Sequence, residues 1–244
     1  DLGWMNDTLK YLALDPIYRQ YDHNLMTFSM AYFYSENYIL PFSHDEVVHS
    51  KKTIIDKIYG TYEEKLAQLK TLYIYMMTHP GKKLNFMGNE LAEYKEWDEK
   101  KSLGWNILNY PVHDAFHEFI KKLNQLVLDH PALYEYDYYP EGFEWCVVDD
   151  HNQSVFAYER KAKDGSTLLV VLNFTANSHE KYCVPVSQKG TYKEILNSDL
   201  DKYSGSNQVN KRQIKAKKRA ALGKDYSIDV KIAPFAGMIF ELKK

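Results

Sequence analysis

Up to about residue 130 the apolar residues recur every three to four positions, interrupted by two short unbroken runs; beyond it they recur at every second position. Leu25, Phe28, Ala31 and Tyr32, flanked by Met26, Met30 and Phe33, predict an amphipathic helix that ends near Ser35 and packs on a sheet, with its methionines filling core. Before it, Asn6 is placed to cap a short helical turn, and Asp15-Pro16 marks a second helix start. Tyr38 to Phe42 are too few for a helix and read as a strand buried on both faces. After a loop of mixed Lys and Ile to Gly60, Thr61-Tyr-Glu-Glu64 forms a capping box. The helix it opens carries Leu66, Leu69, Leu72 or Tyr73, and Met76 on one face and stops before Pro80. Leu84 to Met87, ended by Gly88, reads as a second short strand, so strand, helix and strand make a βα unit of a parallel sheet. From Val112 to Leu128 a long helix shows Phe116, Phe119, Ile120, Leu123, Leu126 and Val127 on one face, and Pro131 ends it.

The period then changes. Glu144–Val148, Ser154–Arg160, Leu168–Phe174, Lys181–Pro185, Lys193–Leu196, Tyr226–Ile232 and Met238–Leu242 read as short strands parted by turn signals such as Asp164-Gly165, the pattern of an antiparallel sandwich. The boundary is expected between Leu133 and Gly142, giving an α/β part over residues 1–135 and an all-β part over 136–244.

At 244 residues and 45% hydrophobic, the chain can bury one large core or two ordinary ones. A formal charge of −2 gives no electrostatic argument for nucleic acid or an anionic membrane as partner. The one basic run, Lys211 to Arg219, lacks interleaved aromatics and reads as a solvated loop. No segment approaches the roughly 18 apolar residues that span a bilayer, and the first residues lack the plan of a signal peptide, so a soluble, cytoplasmic protein is expected. Cys146 and Cys183 are too few for a disulfide framework and read as small core residues. The 21 tyrosines supply the flat amphipathic rings that suit sugar faces, although core and surface roles account for most tyrosines in any protein.

Candidate chemistry gathers where the first strand ends, at Ser43-His-Asp-Glu46, because loops leaving the carboxyl ends of parallel strands carry the sites of α/β folds. A zinc-protease pattern fails, since Asp45 stands where its first His belongs and His44 and His49, five apart, share no helix face; no metal or other cofactor is expected. Letters shared with a helicase box carry no weight, because no phosphate-binding loop is present. A turn-capping role for His44 and Asp45 stays open on local pattern alone. Glu90 occupies the equivalent position just past the second strand, and Trp97 and Trp105, in the loop beyond, can stack on a glucose ring or simply plug the loop.

The longer string Leu40-Pro-Phe-Ser-His-Asp-Glu-Val-Val-His49 resembles the signature at the seventh barrel strand of the 1,4-α-glucan branching enzymes of glycoside hydrolase family 13. The resemblance continues through Gly3-Trp-Met-Asn-Asp-Thr-Leu9, His79-Pro-Gly-Lys-Lys83, Phe86-Met-Gly88, Asn197-Ser-Asp199 and Tyr203-Ser-Gly-Ser-Asn207, covering essentially the whole chain. It implies that residues 1–135 are the last part of a (β/α)8 barrel, from the end of strand six to helix eight, followed by the sandwich. It also implies α-glucan (glycogen, amylose) as substrate. Asp45 then matches the third carboxylate, which grips the donor sugar and stabilises the transition state, and His44 its hydrogen-bonding neighbour. Glu90, Trp4 and Trp97 are implied to border the glucan groove. The family's nucleophile and acid/base belong to earlier barrel strands, so the chain is expected to be an excerpt of a longer protein, inactive alone and prone to self-association through its open barrel face. Two departures, Ser204 where the family often has Gly and Gly104 where it often has Asp, bear on loop conformation and the edge of the groove. An amylase-type or debranching hydrolase and a non-catalytic glucan-binding module are the alternatives.

Overall fold

The computed structural model describes residues 1–210 and 212–243; Lys211, the first residue of the basic run, and Lys244 lie outside them. Helix α1 spans Leu2–Ala13, and its cap is Asp1, whose carboxylate accepts the Trp4 amide at 2.8 Å. Asn6, expected to cap, lies inside the helix instead, because Asp1 already satisfies the free amide upstream. Asp15 behaves as expected, accepting the Ile17 amide at 3.1 Å and opening a 3₁₀ turn over Pro16–Tyr21.

The helix expected from Leu25 to Ser35 does not form. Three 3₁₀ turns, His23–Met26, Phe28–Ala31 and Phe33–Ser35, take its place. His23, Met26, Ser29 and Phe33 are the buried positions, nearly three apart, which is the repeat of a 3₁₀ helix; Phe28 is 57% exposed.

Strand β1, Ile39–Phe42, pairs in parallel with β2, Lys82–Asn85. Leu40 and Phe42 are fully buried, but Ile39 at the strand start is not. β2 begins two residues before Leu84, which remains 43% exposed, and Met87, just past the strand, is 54% exposed. Helix α2, Ile54–Lys57, and helix α3, Tyr62–Thr78, connect the two strands. The capping box at the start of α3 is formed: Thr61 Oγ accepts the Glu64 amide and Glu64 Oε2 accepts the Thr61 amide at 2.8 Å. Between α3 and β2, Gly81 has φ of +94°, and a Cβ there would sit 2.5 Å from the Phe33 ring. Helix α4, Pro111–Asp129, buries Phe116, Phe119, Ile120, Leu123 and Leu126, the face its periodicity predicts.

The rest is antiparallel. Strands β3 (Phe143–Asp150), β4 (Val155–Lys161), β5 (Thr167–Asn173), β6 (His179–Val186), β7 (Thr191–Asn197), β8 (Ile214–Lys215), β9 (Tyr226–Ile232) and β10 (Gly237–Lys243) form two sheets. One sheet has the order β3-β4-β5-β10-β7-β8 and the other pairs β6 with β9. Strand β8 lies inside the basic run expected to be loop: Ile214, set beside buried Tyr192 of β7, gives that stretch an apolar foothold. Cys146 is buried, its thiol pushed up by burial, whereas Cys183, expected in the core, is exposed with Sγ 3.0 Å from Arg219 Nη2.

Strands β4, β5 and β10 of the six-stranded sheet are buried on both faces. Val155 and Ala157 of β4, Leu169 and Val171 of β5, and Met238 and Phe240 of β10 face the β6–β9 pair. Their neighbours Phe156, Tyr158, Leu168, Val170, Leu172 and Ile239 join the core of the helical part, so that core continues past residue 136. This explains why α3 is buried nearly all round: it packs against α4 and against β5 and β10 of the six-stranded sheet, while its Tyr73 reaches Phe42 of β1 and Asn85 of β2.

Two fully buried arginines cross this junction. Arg19 donates to Leu12 O, Leu14 O, Gln68 Oε1 and, from Nη1 at 2.7 Å, to Phe174 O just past β5. Arg160 on β4 donates to Thr78 O at the end of α3, to Gly142 O, and to Asp137 Oδ1 at 3.2 Å. Among the described residues, no helix is long and apolar enough to cross a membrane.

Candidate functional site

Phe42, the last residue of β1, fixes the floor of the site through its carbonyl, which accepts the Phe86 amide at 2.9 Å and Asn89 Nδ2 at 3.2 Å. The chain then turns at once into a 3₁₀ turn, His44–Glu46, with both first side chains outside. His44 Nε2 stands 3.1 Å from Asp45 Oδ1, and the two side chains are 52% and 69% exposed. A contact this exposed adds little to stability. It leaves the carboxylate open to a ligand.

Trp97 comes to this turn from the loop after β2. Its amide donates to Val47 O at 3.0 Å, its ring meets the His44 ring at 6.4 Å, and it packs edge-on against Phe86 at 5.1 Å. A cleft of about 170 Å³ between the two loops is lined by Val47, Thr53, Trp97, Leu103 and Gly104 among others. Trp105 stands 54% exposed just beyond.

Trp4 is elsewhere. It is 1% exposed, packed between Phe42 at 5.3 Å and Tyr75 at 5.8 Å, so its indole supports the floor and offers no open face to a sugar. Glu90 accepts the Gly88 amide at 2.9 Å and borders a separate cavity with Tyr73, Met77, Lys83 and His117. Burial, and then the Glu90 charge, push the Tyr73 hydroxyl up. Its proton is held in a bond to Asn85 Oδ1 at 2.9 Å.

His44 and Asp45 are thus brought together with Trp97, and Trp4 and Glu90 are not. Among the described residues no group of three or more His, Cys, Asp or Glu is set to hold a metal ion. Glu46 is taken up by Lys51 at 3.7 Å, and its carbonyl by Lys57 Nζ.

Sequence reading missed Glu96, whose two oxygens accept the amides of Ser50 and Lys52, and no local signal marks it because those partners lie 46 and 44 residues away. Of the two departures from the family pattern, Gly104 has a local explanation and Ser204 has none. A Cβ on Gly104 would sit 2.3 Å from Glu93 Oε2, so the Glu93 carboxylate fills the space a side chain there would need. Ser204 sits in the left-handed region at φ of 58°, in a loop where Asp199 accepts Ser206 N, Ser206 Oγ and Gln208 N, and buried Tyr203 packs on Phe119 of α4.

Comparison with known proteins adds a sequence context to this geometry. Residues 145–243 match the alpha amylase C-terminal all-beta domain. Over 246 aligned residues the chain is 46% identical to the 1,4-alpha-glucan branching enzyme of Oceanobacillus iheyensis, covering all of this chain and 38% of that protein. It is 45% identical to the Halothermothrix orenii branching enzyme, covering 99% of this chain and 38% of that protein, and 47% identical to that of Nitrosomonas eutropha, covering 98% and 33%. The chain therefore spans between 33% and 38% of the length of these relatives. Among solved structures it resembles the Nostoc punctiforme debranching enzyme in its native form, with a TM-score of 0.52 and 14% identity over 80% of this chain and 34% of that one. At that identity the likeness concerns the fold alone.

Proposed function

Because the chain belongs to the 1,4-alpha-glucan branching enzyme family, of which it matches a C-terminal part, we propose that it supplies the sugar-gripping carboxylate and the all-β domain of such an enzyme. The reaction cuts an α-1,4 bond in glycogen or amylose and transfers the released chain to a 6-hydroxyl. In this reading β1, α3, β2 and α4 are the closing elements of a (β/α)8 barrel. A parallel strand pair joined by a helix, with exposed polar groups at the carboxyl end of β1, supports it.

Branching with retention needs one carboxylate as nucleophile and one as acid then base, about 5 to 5.5 Å apart across an oxocarbenium-like transition state. We assign neither role to Glu46 or Glu90, since the first is paired with Lys51 and the second with the Gly88 amide. The pair is proposed to come from residues of the enzyme outside this chain. Asp45 has a different task. An ionised carboxylate accepting hydrogen bonds from the donor sugar's hydroxyls strengthens them as positive charge grows on the ring, so its effect is concentrated in the transition state. His44, 3.1 Å away, is placed to donate to the same sugar and to orient the carboxylate. A cytoplasmic setting, with no cofactor, completes the proposal.

The observation that carries this reading is the exposed His44–Asp45 pair directly beyond a buried parallel strand. Its test is Asp45→Asn in the full-length enzyme acting on amylose, with new α-1,6 linkages counted after debranching. The amide is expected to lose at least about a hundredfold in turnover while staying folded. Retention of full activity would remove Asp45 from the site. Shortening of amylose by the wild type without new branches would make the protein a hydrolase, and binding without any turnover a glucan-binding module.

A further inference from the structure

The loop that leaves the His44–Glu46 turn runs through His49, Ser50 and Lys52 with φ of 56°, 63° and 68°. Side chains other than glycine occupy that left-handed region only where the surroundings dictate it, and such positions gather at functional sites. No glycine lies between Ser43 and Lys52 to make the path easy. The constraint therefore comes from outside the loop, and its source is visible. Glu96 accepts the Ser50 amide at 2.9 Å with one carboxylate oxygen and the Lys52 amide at 2.7 Å with the other. Lys57 Nζ donates to the carbonyls of Glu46 and Lys52. The next residue after Glu96, Trp97, gives its amide to Val47 O at 3.0 Å and sets its ring against His44.

The turn that bears Asp45 has one ordinary bond of its own, Val47 N to His44 O at 3.0 Å, and one long one, Glu46 N to Ser43 O at 3.4 Å. Its position depends on what holds Val47 to Lys52. We propose that Glu96 is a positioning residue for His44 and Asp45, a two-pronged carboxylate clamp that ties the loop after β1 to the loop after β2 and sets where the sugar-gripping pair stands. This inference rests on the reading of Asp45 given above. Glu96 itself touches no reacting atom. Its loss lets Asp45 wander, and a misplacement of about 1 Å is enough to cost about a hundredfold in rate. Since Asp45 acts chiefly in the transition state, the loss falls on kcat more than on KM.

Glu96→Gln is the smallest disabling change, because it turns one acceptor into a donor facing an amide donor. Trypsin reads the clamp directly, since Lys51 and Lys52 lie in the clamped loop. Cleavage after either residue is expected to quicken at least about tenfold in the variant, with cleavage in the all-β part and the thermal midpoint unchanged. Glu96→Asp, one methylene shorter, is expected to fall between wild type and the amide. In the full-length enzyme, loss of amylose–iodine colour registers glucan cleavage whether the product is branched or hydrolysed. There Glu96→Gln is expected to lower kcat at least about tenfold with KM nearly constant. Unchanged trypsin cleavage overturns the clamp. Quickened cleavage with unchanged kcat overturns its positioning role. Asp45→Asn, run alongside, separates the two readings: if that enzyme is as active as wild type, the assignment of Asp45 fails and the positioning role with it, while trypsin still reports whether the clamp exists.

Discussion

His79 shows how one side chain can be settled by geometry that its own sequence context hides. It is 1% exposed, ringed by Trp4, Phe33 and Tyr75. Its Nδ1 lies 2.9 Å from Pro80 O, a pure acceptor, so Nδ1 carries the proton, and Nε2 accepts from Ser29 Oγ at 3.1 Å. A second proton would put a charge into an apolar cage, where the Lys83 and Arg160 cations disfavour it further. Burial accordingly holds its pKa down at about 3, against 6.5 for a free histidine. The folded-state pKa is depressed, so the stability this residue contributes is fully present above pH 6.5 and is lost as pH falls from there toward 3. The slope is about 1.4 kcal/mol per pH unit for one proton. Urea unfolding of wild type and His79→Asn between pH 7 and 4 is expected to show the variant less stable at neutral pH but with a shallower fall; parallel curves would mean that His79 is charged in the fold. His44 and Asp45 were legible as candidates because they abut a short apolar run, a local signal. Arg19, Arg160 and Glu96 were not, since what they hold are backbone groups far along the chain, such as Phe174 O, Thr78 O and the Ser50 amide, and no window of sequence records such pairings.

Among the elements, those whose ends carry their own chemistry were the readable ones. Thr61 and Glu64 begin α3 as their spacing requires, and α4 buries the face its period predicts. The segment from His23 to Ser35 misled because Phe28, Ala31 and Tyr32 satisfy a helical spacing while the burial that decides the backbone falls on Met26, Ser29 and Phe33. Tertiary contact outweighed periodicity there. The loop after β7 offers a clean test of backbone preference. Gly205 cannot be replaced, because a Cβ there would meet Asp199 O at 2.2 Å. Ser204 beside it holds φ of 58° with an exposed side chain. Left-handed backbone costs an L residue about 1–2 kcal/mol, and glycine's extra freedom in the unfolded chain takes back about 0.5–1 kcal/mol. Ser204→Gly is therefore expected to stabilise by about 0–1.5 kcal/mol in thermal or urea unfolding, and a loss of stability would show that the serine side chain supports the loop.

Across the whole molecule, the change of period near residue 130 marks a change of architecture without marking two separable bodies. The helical core takes in one face of the six-stranded sheet, and Arg19 and Arg160 bolt the junction. The weak side is at β2, which has one partner and carries exposed Leu84, with exposed Met87 just beyond it. An open strand edge with apolar side chains invites pairing with a second chain. Light scattering of the isolated chain is expected to show association that grows with concentration and recedes in Leu84→Lys; a monomer throughout would mean that the edge is protected. The strand order also bears on time. β10 is made after β3 to β9, yet it stands in the middle of the sheet, between β5 and β7. Until it arrives β7 cannot join β5, and Ile74 of α3 lacks the Gly237 backbone it packs against. Assembly of the sheet thus waits on β10, and until that strand is made the apolar wall of β4 and β5 depends on a partner that does not yet exist.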